Sequence, residues 1–527
     1  MLDRRHFLKI SALSGSIVLL GNINPFTTRS GICRSFGLCA NTKTLNNHPD
    51  FLNLIADSGI TDVWMPLFIN GYWPYPVEDV LIWKEKFEKK GIAVHIVSVP
   101  FGHPGGALGD SQNYDITPAY WPRRVDIEGN KYSGTSVHPS ITQENITVIQ
   151  KVERLGFSEL FLDDDFRLAA APGTIGGCFC DDHQKEFLIK YGYSDKDMEE
   201  LKHSIIKRDL NPILRHWIDF NCDQLTNSFK SQQAAAPHVA LGIMVMYLGS
   251  EKAGIRLGDY KESIFRVGEF MFNDDSFSPV KGKTDELFSS LFHRRFVKPE
   301  MAHSETTAYP ANKLSAGNMA AKLHISTISD VRNTMMMSGL DPFPFSHWSA
   351  LAPAMNKAAA MHEKTAGKKL RGPFKHYWGE RSRLVGDDRP YSLFLASGIP
   401  FEVTDTPASE GWTFLSDFDV QDVTSGKLMS KGTRFIYGSN EDKKLSGLRF
   451  VPENINEFFA FKHEIIPFLN GIPYVIEDKP VVCAWYPEIK SVLLWNLSET
   501  KESFTVKLGD KTNSIEIKGL DSELIAI

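Results

Sequence analysis

The sequence predicts an α/β protein: a (β/α)8 barrel, then a small α/β domain, then an antiparallel β-sandwich. Three observations carry this. From about residue 31, eight short apolar or β-branched runs alternate with helical segments over about 335 residues, the span of such a barrel with insertions. After about residue 370 the alternation continues on a smaller scale, with strand-like runs at 391–397 and 432–437 and the breaker Gly398-Ile399-Pro400 between them. From 461 onward, period-two runs at 491–497, 503–508, 513–517 and 523–527, with Gly509-Asp510 as a turn signal, read as a sandwich.

In chain order, residues 1–30 read as an address rather than as fold. Arg4-Arg5-His6-Phe7-Leu8-Lys9 precedes an apolar stretch of about eleven residues, Ile10 to Leu20, too short for the roughly 20 that cross a membrane. The paired arginines resemble a twin-arginine export signal, which implies a periplasmic or cell-surface protein with no stable membrane span. No good Ala-x-Ala cleavage site follows. The barrel is assigned to 31–368, the second domain to 369–460 and the sandwich to 461–527. Its eight strands are expected at 31–39, 61–68, 92–99, 159–164, 239–247, 269–273, 299–306 and 332–340. The intervening helices are expected at 77–90, 141–155, 284–296, 316–329 and 350–365, with one long helix inside 181–235.

Composition excludes several classes. At 42% hydrophobic and 23% charged residues, the chain is neither disordered nor collagenous. With 58 basic and 64 acidic residues the net charge is −6, so no positive field attracts nucleic acid. Six cysteines in 527 residues cannot form a fold-defining disulfide framework.

Barrel enzymes carry their chemistry at the C-terminal ends of the strands, and two acidic motifs stand there. Asp163-Asp164-Asp165-Phe166-Arg167 closes the fourth strand; three adjacent carboxylates repel one another, so Arg167, a raised pKa, a metal or solvent must offset the cost. Alternate strand residues face opposite sides, so at most two of the three share a face. As a bare motif the run also fits a solvated turn capping the next helix. His303-Ser304-Glu305-Thr306-Thr307 closes the seventh strand, across the barrel from the fourth. Glycoside hydrolysis needs two carboxyl groups flanking the scissile bond, and Asp164 or Asp165 with Glu305 is the candidate pair.

These motifs resemble those of the (β/α)8 retaining glycosidases that place an acid/base on strand four and a nucleophile on strand seven, in particular the family 42 β-galactosidase type. The resemblance implies a catalytic barrel, a flavodoxin-like trimerisation domain and a small C-terminal β domain. It matches Glu305 to the nucleophile and Trp348 to an aromatic following strand eight. Those enzymes carry Asn-Glu on strand four, where this chain has Asp163-Asp164-Asp165. No residue pattern identifies the sugar, its linkage or its anomeric configuration.

Sugar rings offer apolar faces and hydroxylated edges, so their sites combine aromatic and polar groups. Tyr72, Trp73, Tyr75, Tyr120, Trp121 and Trp348 in strand-end loops are platform candidates, with Asp163, Arg167 and His303 as polar contacts. The long connection 101–138 is a candidate subsite wall. Cys178-Phe179-Cys180-Asp181-Asp182-His183 offers three zinc-type ligands but no local fourth; Cys33, Cys39 or Cys222 is expected to supply one only through the fold. A disulfide and ordinary packing are the competing readings, and no cofactor is otherwise implied. Two further functions remain open. One is a metal-dependent sugar isomerase, lyase or hydrolase with ligands among Asp163, Asp165, His183, Asp274 and Glu305; the other is a carbohydrate-binding protein on a degenerate barrel.

Overall fold

The computed structural model describes residues 33–102, 117–163, 166–171, 173–245, 248–268, 271–338, 343–429, 431–438 and 447–527. The export-type segment 1–30, Asp164, Asp165 and much of the 101–138 connection lie outside these residues.

Eight parallel strands close into a barrel: β1 (Ser35–Cys39), β2 (Asp62–Ile69), β3 (Ala93–Val99), β4 (Glu159–Leu162), β5 (Ala240–Val245), β6 (Ile264–Val267), β7 (Ala302–Thr307) and β8 (Asn333–Met337). Each pairs with its sequence neighbours, and β1 closes the ring against β8. The strands are apolar throughout because both faces are covered. Val63, Met65 and Leu67 of β2 join the large outer core under the helices, whereas Trp64 joins an inner cluster with Cys39, Val97, Phe161, Ile264 and Met335. This is the period-two alternation that fills a barrel with side chains. Gly242 of β5 makes room for the inner layer: a Cβ there would lie 2.6 Å from the Phe161 ring.

Seven of the eight expected strands lie within a few residues of their predicted places. The sixth does not. It runs Ile264–Val267, upstream of the expected 269–273, and Asn273 instead caps the short helix Asp274–Phe277. The long helix expected inside 181–235 is Pro212–Ala235, and two shorter ones, Asp181–Tyr191 and Asp195–Lys207, precede it. Gly192 in the left-handed region ends the first, and a Ser194–Asp197 capping box starts the second.

The second domain is a five-stranded parallel sheet of β9 (Phe374–Tyr377), β10 (Phe401–Thr404), β11 (Gly411–Leu415), β12 (Thr433–Tyr437) and β13 (Arg449–Phe450), in the order β10-β9-β11-β12-β13. Renumbered from one, this is the 2-1-3-4-5 order of a flavodoxin-like fold. The strand expected at 391–397 is a 3-10 turn, Leu393–Ala396. Helix Ile455–Ile465 runs across position 460. Two three-stranded antiparallel sheets then enclose Val475, Val481, Cys483, Val492, Leu494, Phe504, Val506, Ile517 and Ile525 as a sandwich.

The flavodoxin-like domain is latched to the barrel rim. Asp388 accepts hydrogen bonds from the backbone N–H of Gly173 after β4 (2.8 Å) and of Gly249 after β5 (2.9 Å), and pairs with Lys252. Both charged side chains are buried, so their desolvation is offset mainly by each other and by those amides. Trp378 Nε1 donates to Leu248 O at 3.1 Å, and Arg383 pairs with Glu251 at 2.5 Å. Replacing Asp388 with Ala strands a buried ammonium and is expected to cost about 3–5 kcal/mol. A thermal midpoint lowered by several degrees checks this, and an unchanged midpoint refutes the latch.

Candidate active site at the strand ends

Three buried charged residues from three strands meet inside the C-terminal end of the barrel. Asp163 directly follows β4, where its N–H donates to Ser98 O of β3 at 2.9 Å. Arg266 lies in β6, beside His303 in the register with β7. Glu305 stands two residues further along β7, on the same face as His303. Arg266 Nη2 lies 2.5 Å from Asp163 Oδ1 and 3.5 Å from Glu305 Oε1. Because both oxygens approach one nitrogen, they are at most about 6 Å apart. Thr307 donates to Glu305 Oε1 at 3.1 Å. The thioethers of Met244, Met335 and Met337 surround the guanidinium. Arg266 has no measurable exposure, Glu305 only 4%. One guanidinium thus separates two carboxylates that would otherwise repel in a dry pocket.

His303 sits beneath this group. Its ring is edge-on to Phe161 at 5.1 Å and to Trp64 at 5.8 Å, and Nδ1 lies 3.2 Å from Met301 O. Burial pushes its pKa down to about 4, so it is a neutral part of the barrel floor. Arg167 is buried and turns back on its own loop, Nε donating to Ala169 O at 3.1 Å.

The aromatic candidates divide. Trp121 and Trp348 are buried, Trp121 donating through Nε1 to Glu144 at 2.8 Å and Trp348 packing on Phe343. Trp73 packs on Phe68, with Lys151 Nζ 3.9 Å from its ring centre. Tyr75 is half-buried against the core. Tyr72 and Tyr120 are exposed.

The Cys-x-Cys-x-x-His run gains its fourth partner from His138, at the start of helix Pro139–Arg154. Ligand atoms of His138, Cys178, Cys180 and His183 all lie within 4.8 Å of one another. Zinc, at about 2.3 Å from sulfur and about 2.0–2.1 Å from nitrogen, draws such a set together with small side-chain movement. The group fits a metal in other respects. His183 turns Nδ1 toward Cys180 (3.1 Å) while Nε2 is held by Val137 O (2.9 Å), the outer hydrogen bond that orients a ligating imidazole. His138 Nε2 is buried without a hydrogen-bond partner among the described residues. The hydrogen bond from Cys180 holds the Cys178 thiol far below its ordinary range, and Cys180 is raised in turn. The fourth ligand is therefore not Cys33, Cys39 or Cys222: Cys39 fills the barrel interior and Cys222 donates to Glu251 O. All six cysteines are free thiols.

Of the ligands envisaged for a metal-dependent barrel, Asp165 lies outside the described residues, and the described four do not gather in one place. His183 belongs to the cysteine cluster, and Asp274 accepts from Ser315 N–H and Asn318 Nδ2, both at 2.8 Å. Between Asp163 and Glu305 the cation is Arg266. Sequence reasoning missed both Arg266 and His138. The only signal for Arg266 was a basic residue inside the apolar run Ile264-Phe265-Arg266-Val267.

No family model and no curated protein matches the chain. Solved structures do. The β-galactosidase from Rahnella sp. R3 superposes with a TM-score of 0.58 at 11% identity, covering 94% of this chain and 98% of that one. Gan42B, a GH42 β-galactosidase from G. stearothermophilus, gives 0.60 at 10% identity over the same shares. The chain has the GH42 β-galactosidase fold. An α-L-fucosidase isoenzyme from Paenibacillus thiaminolyticus is also similar, with a TM-score of 0.53 at 8% identity, over 90% of this chain and 93% of that one. At these identities the likeness is one of fold. Among the described residues no helix is long and apolar enough to cross a membrane.

The buried histidines make stability depend on pH. The unfolded imidazole titrates near 6.5, whereas burial holds folded His303 at about 4, His324 at about 4 and His376 at about 3. Between those values the unfolded chain binds more protons, so acid favours unfolding. The stability these neutral rings contribute is complete above about pH 6.5 and lost as pH falls toward 4. Thermal melts across that window should show a falling midpoint, with a shallower fall in His303→Gln; equal slopes would remove His303 from the account.

Proposed function

We propose that the protein is an exported glycoside hydrolase cleaving by a retaining double displacement. The observation that carries this is Glu305 on β7, beside Arg266 and within about 6 Å of the first carboxylate of the β4 aspartate run. Retaining glycosidases hold their two carboxyl groups about 5–5.5 Å apart; the Asp163–Glu305 approach brings the start of the aspartate run near Glu305 but is not itself that acid–nucleophile distance, since Asp163 is paired with Arg266. The fold shared with β-galactosidases supports the same reading.

Glu305, kept ionised by Arg266, attacks the anomeric carbon. The bond to the leaving oxygen breaks as Asp164 or Asp165 gives that oxygen its proton. The resulting carboxylate then takes a proton from water, whose oxygen displaces Glu305 and releases the sugar with its original configuration. Asp163 is an unsuitable acid, because a guanidinium at 2.5 Å opposes its protonation; its part is to position Arg266. The paired arginines near the N-terminus support export to the periplasm or cell surface. The flavodoxin-like domain makes a homotrimer part of the proposal.

The test is hydrolysis of an aryl-glycoside panel, with NMR of the first-formed product anomer. Glu305→Gln is expected to lose at least about 10³-fold in turnover while keeping a folded circular dichroism spectrum, its thermal midpoint lowered because Arg266 loses one of its two carboxylates. No turnover of any glycoside, or full activity in the variant, overturns the assignment; an inverted product overturns the double displacement.

We further propose that His138, Cys178, Cys180 and His183 hold a structural zinc that ties the loop after β4 to helix Pro139–Arg154. Elemental analysis should find about one zinc per chain, lost in Cys178→Ser together with a lowered thermal midpoint. Protein that takes up no zinc when offered it refutes the site.

A further inference from the structure

The rim of the barrel is built asymmetrically. The loops after β4, β5 and β6 are buried and clamped: Asp388 and Trp378 hold the first two, while Glu286, paired with Lys322 at 2.6 Å, accepts from Met271 N–H at 2.7 Å. The other half of the rim carries exposed aromatic side chains. Five aromatics are exposed among the described residues: Tyr72, Tyr120, Tyr309, Phe345 and Phe468. Four of the five follow C-terminal ends of barrel strands, Tyr72 after β2, Tyr120 after β3, Tyr309 after β7 and Phe345 after β8. Since β1 lies between β8 and β2, these strands form one continuous arc, β7-β8-β1-β2-β3. At about 4.7–4.9 Å between neighbouring strands, the arc runs for roughly 19 Å along the barrel wall.

The rings are exposed on backbone that is held in place, and two of them, Tyr120 and Phe345, are also held by their side chains. Tyr120, 69% exposed, donates through its hydroxyl to Glu144 at 2.7 Å, the carboxylate that also receives Trp121 Nε1. Tyr72 closes a tight turn whose N–H and C=O both pair with Ile69. Gly71 there has φ +87°, and a Cβ on it would lie 2.4 Å from Pro118, so the Tyr72 and Tyr120 loops are packed together. Phe345 packs on Phe51 with the rings tilted and their centres 5.0 Å apart, and Tyr309 N–H donates to Phe272 O at 2.8 Å. Leaving large rings in water is costly, and rings already fixed, as Tyr120 and Phe345 are, lose little entropy on binding.

We propose that this arc is a binding platform for a neutral glycan chain of several sugar residues, whose ring faces lie on Tyr72, Tyr120, Tyr309 and Phe345. The substrate class is then an oligosaccharide or polysaccharide rather than a single glycoside. This rests on the hydrolase reading for its chemistry, but not for its binding. No charged residue is required of the ligand, because the contacts are aromatic faces and a phenol edge.

The test is calorimetric titration of Glu305→Gln with cello-, xylo-, manno- and galacto-oligosaccharides of one to six units. One series is expected to bind at least tenfold more tightly at six units than at one. Adding Tyr120→Ala or Phe345→Ala should each remove about 5- to 10-fold of that gain. Tyr120→Phe should keep it, and circular dichroism checks that all variants fold. Affinity that does not rise with length, no binding by any series, or alanine variants with the gain intact overturns the proposal. So does a changed sedimentation coefficient in the alanine variants, which would assign the arc to contacts between copies of the chain. Binding of long chains without hydrolysis of any by the unmutated protein would refute the hydrolase reading and leave the platform standing.

Discussion

A guanidinium with no exposure, inside a barrel, is the constraint around which the site is arranged. Removing such an ion from water costs several kcal/mol, and the thioethers of Met244, Met335 and Met337 return little of it. The two carboxylates offset the rest, so Asp163 and Glu305 are fixed by the same cation that they neutralise. Strands β4, β6 and β7 are thereby tied together at the level where barrel enzymes place their chemistry. Below, Trp64, Phe161 and neutral His303 form a dry floor that screens the charges poorly and keeps the triad tight.

The surrounding structure divides its work between two halves of the rim. On the β4–β6 side, buried ion pairs from the flavodoxin-like domain and from helix Val280–His293 hold the loops through their backbone amides. Buried pairs of this kind add little net stability compared with apolar packing, but breaking one is costly, so they fix geometry more than they add stability. On the β7–β3 side the loops are held by hydrogen bonds that leave ring faces in water. One half of the rim is thus held by buried charges and the other by loop hydrogen bonds beneath exposed rings.

Much of the fold was legible because a parallel barrel writes itself as apolar runs at helix-length intervals. The sixth strand was misplaced because Ile264-Phe265-Arg266-Val267 carries a charge where a barrel wall is expected to be apolar, and the neighbouring aromatic run at 269–273 looked the better strand. The site's central residue was lost with it. Glu305 and the aspartate run were visible because carboxylates at strand ends are few. The aromatics were ambiguous for the opposite reason: Trp121 and Trp348 are as apolar as any core residue and are buried, while Tyr120, with a hydroxyl to anchor, stays outside. His138 was invisible, since it lies 40 residues before Cys178 and only the packing of the Val137 and Phe179 segments unites them.

The aspartates on β4 bear on the stereochemistry as well as on identity. Asp is one methylene shorter than the Glu of the family 42 pattern, so an acid at this place reaches less far toward β7, and a wider gap would admit the water of an inverting reaction. Arg266 works against that widening. It draws the end of β4 toward β7 until Asp163 and Glu305 approach a common nitrogen, and their oxygens are held at most about 6 Å apart. The same contact takes Asp163 out of contention as a proton donor, because the nearest charge to it is positive. The buried arginine therefore holds Asp163 and Glu305 close to each other, and in the proposed double displacement the acid role falls to the carboxylates that follow Asp163 in the sequence.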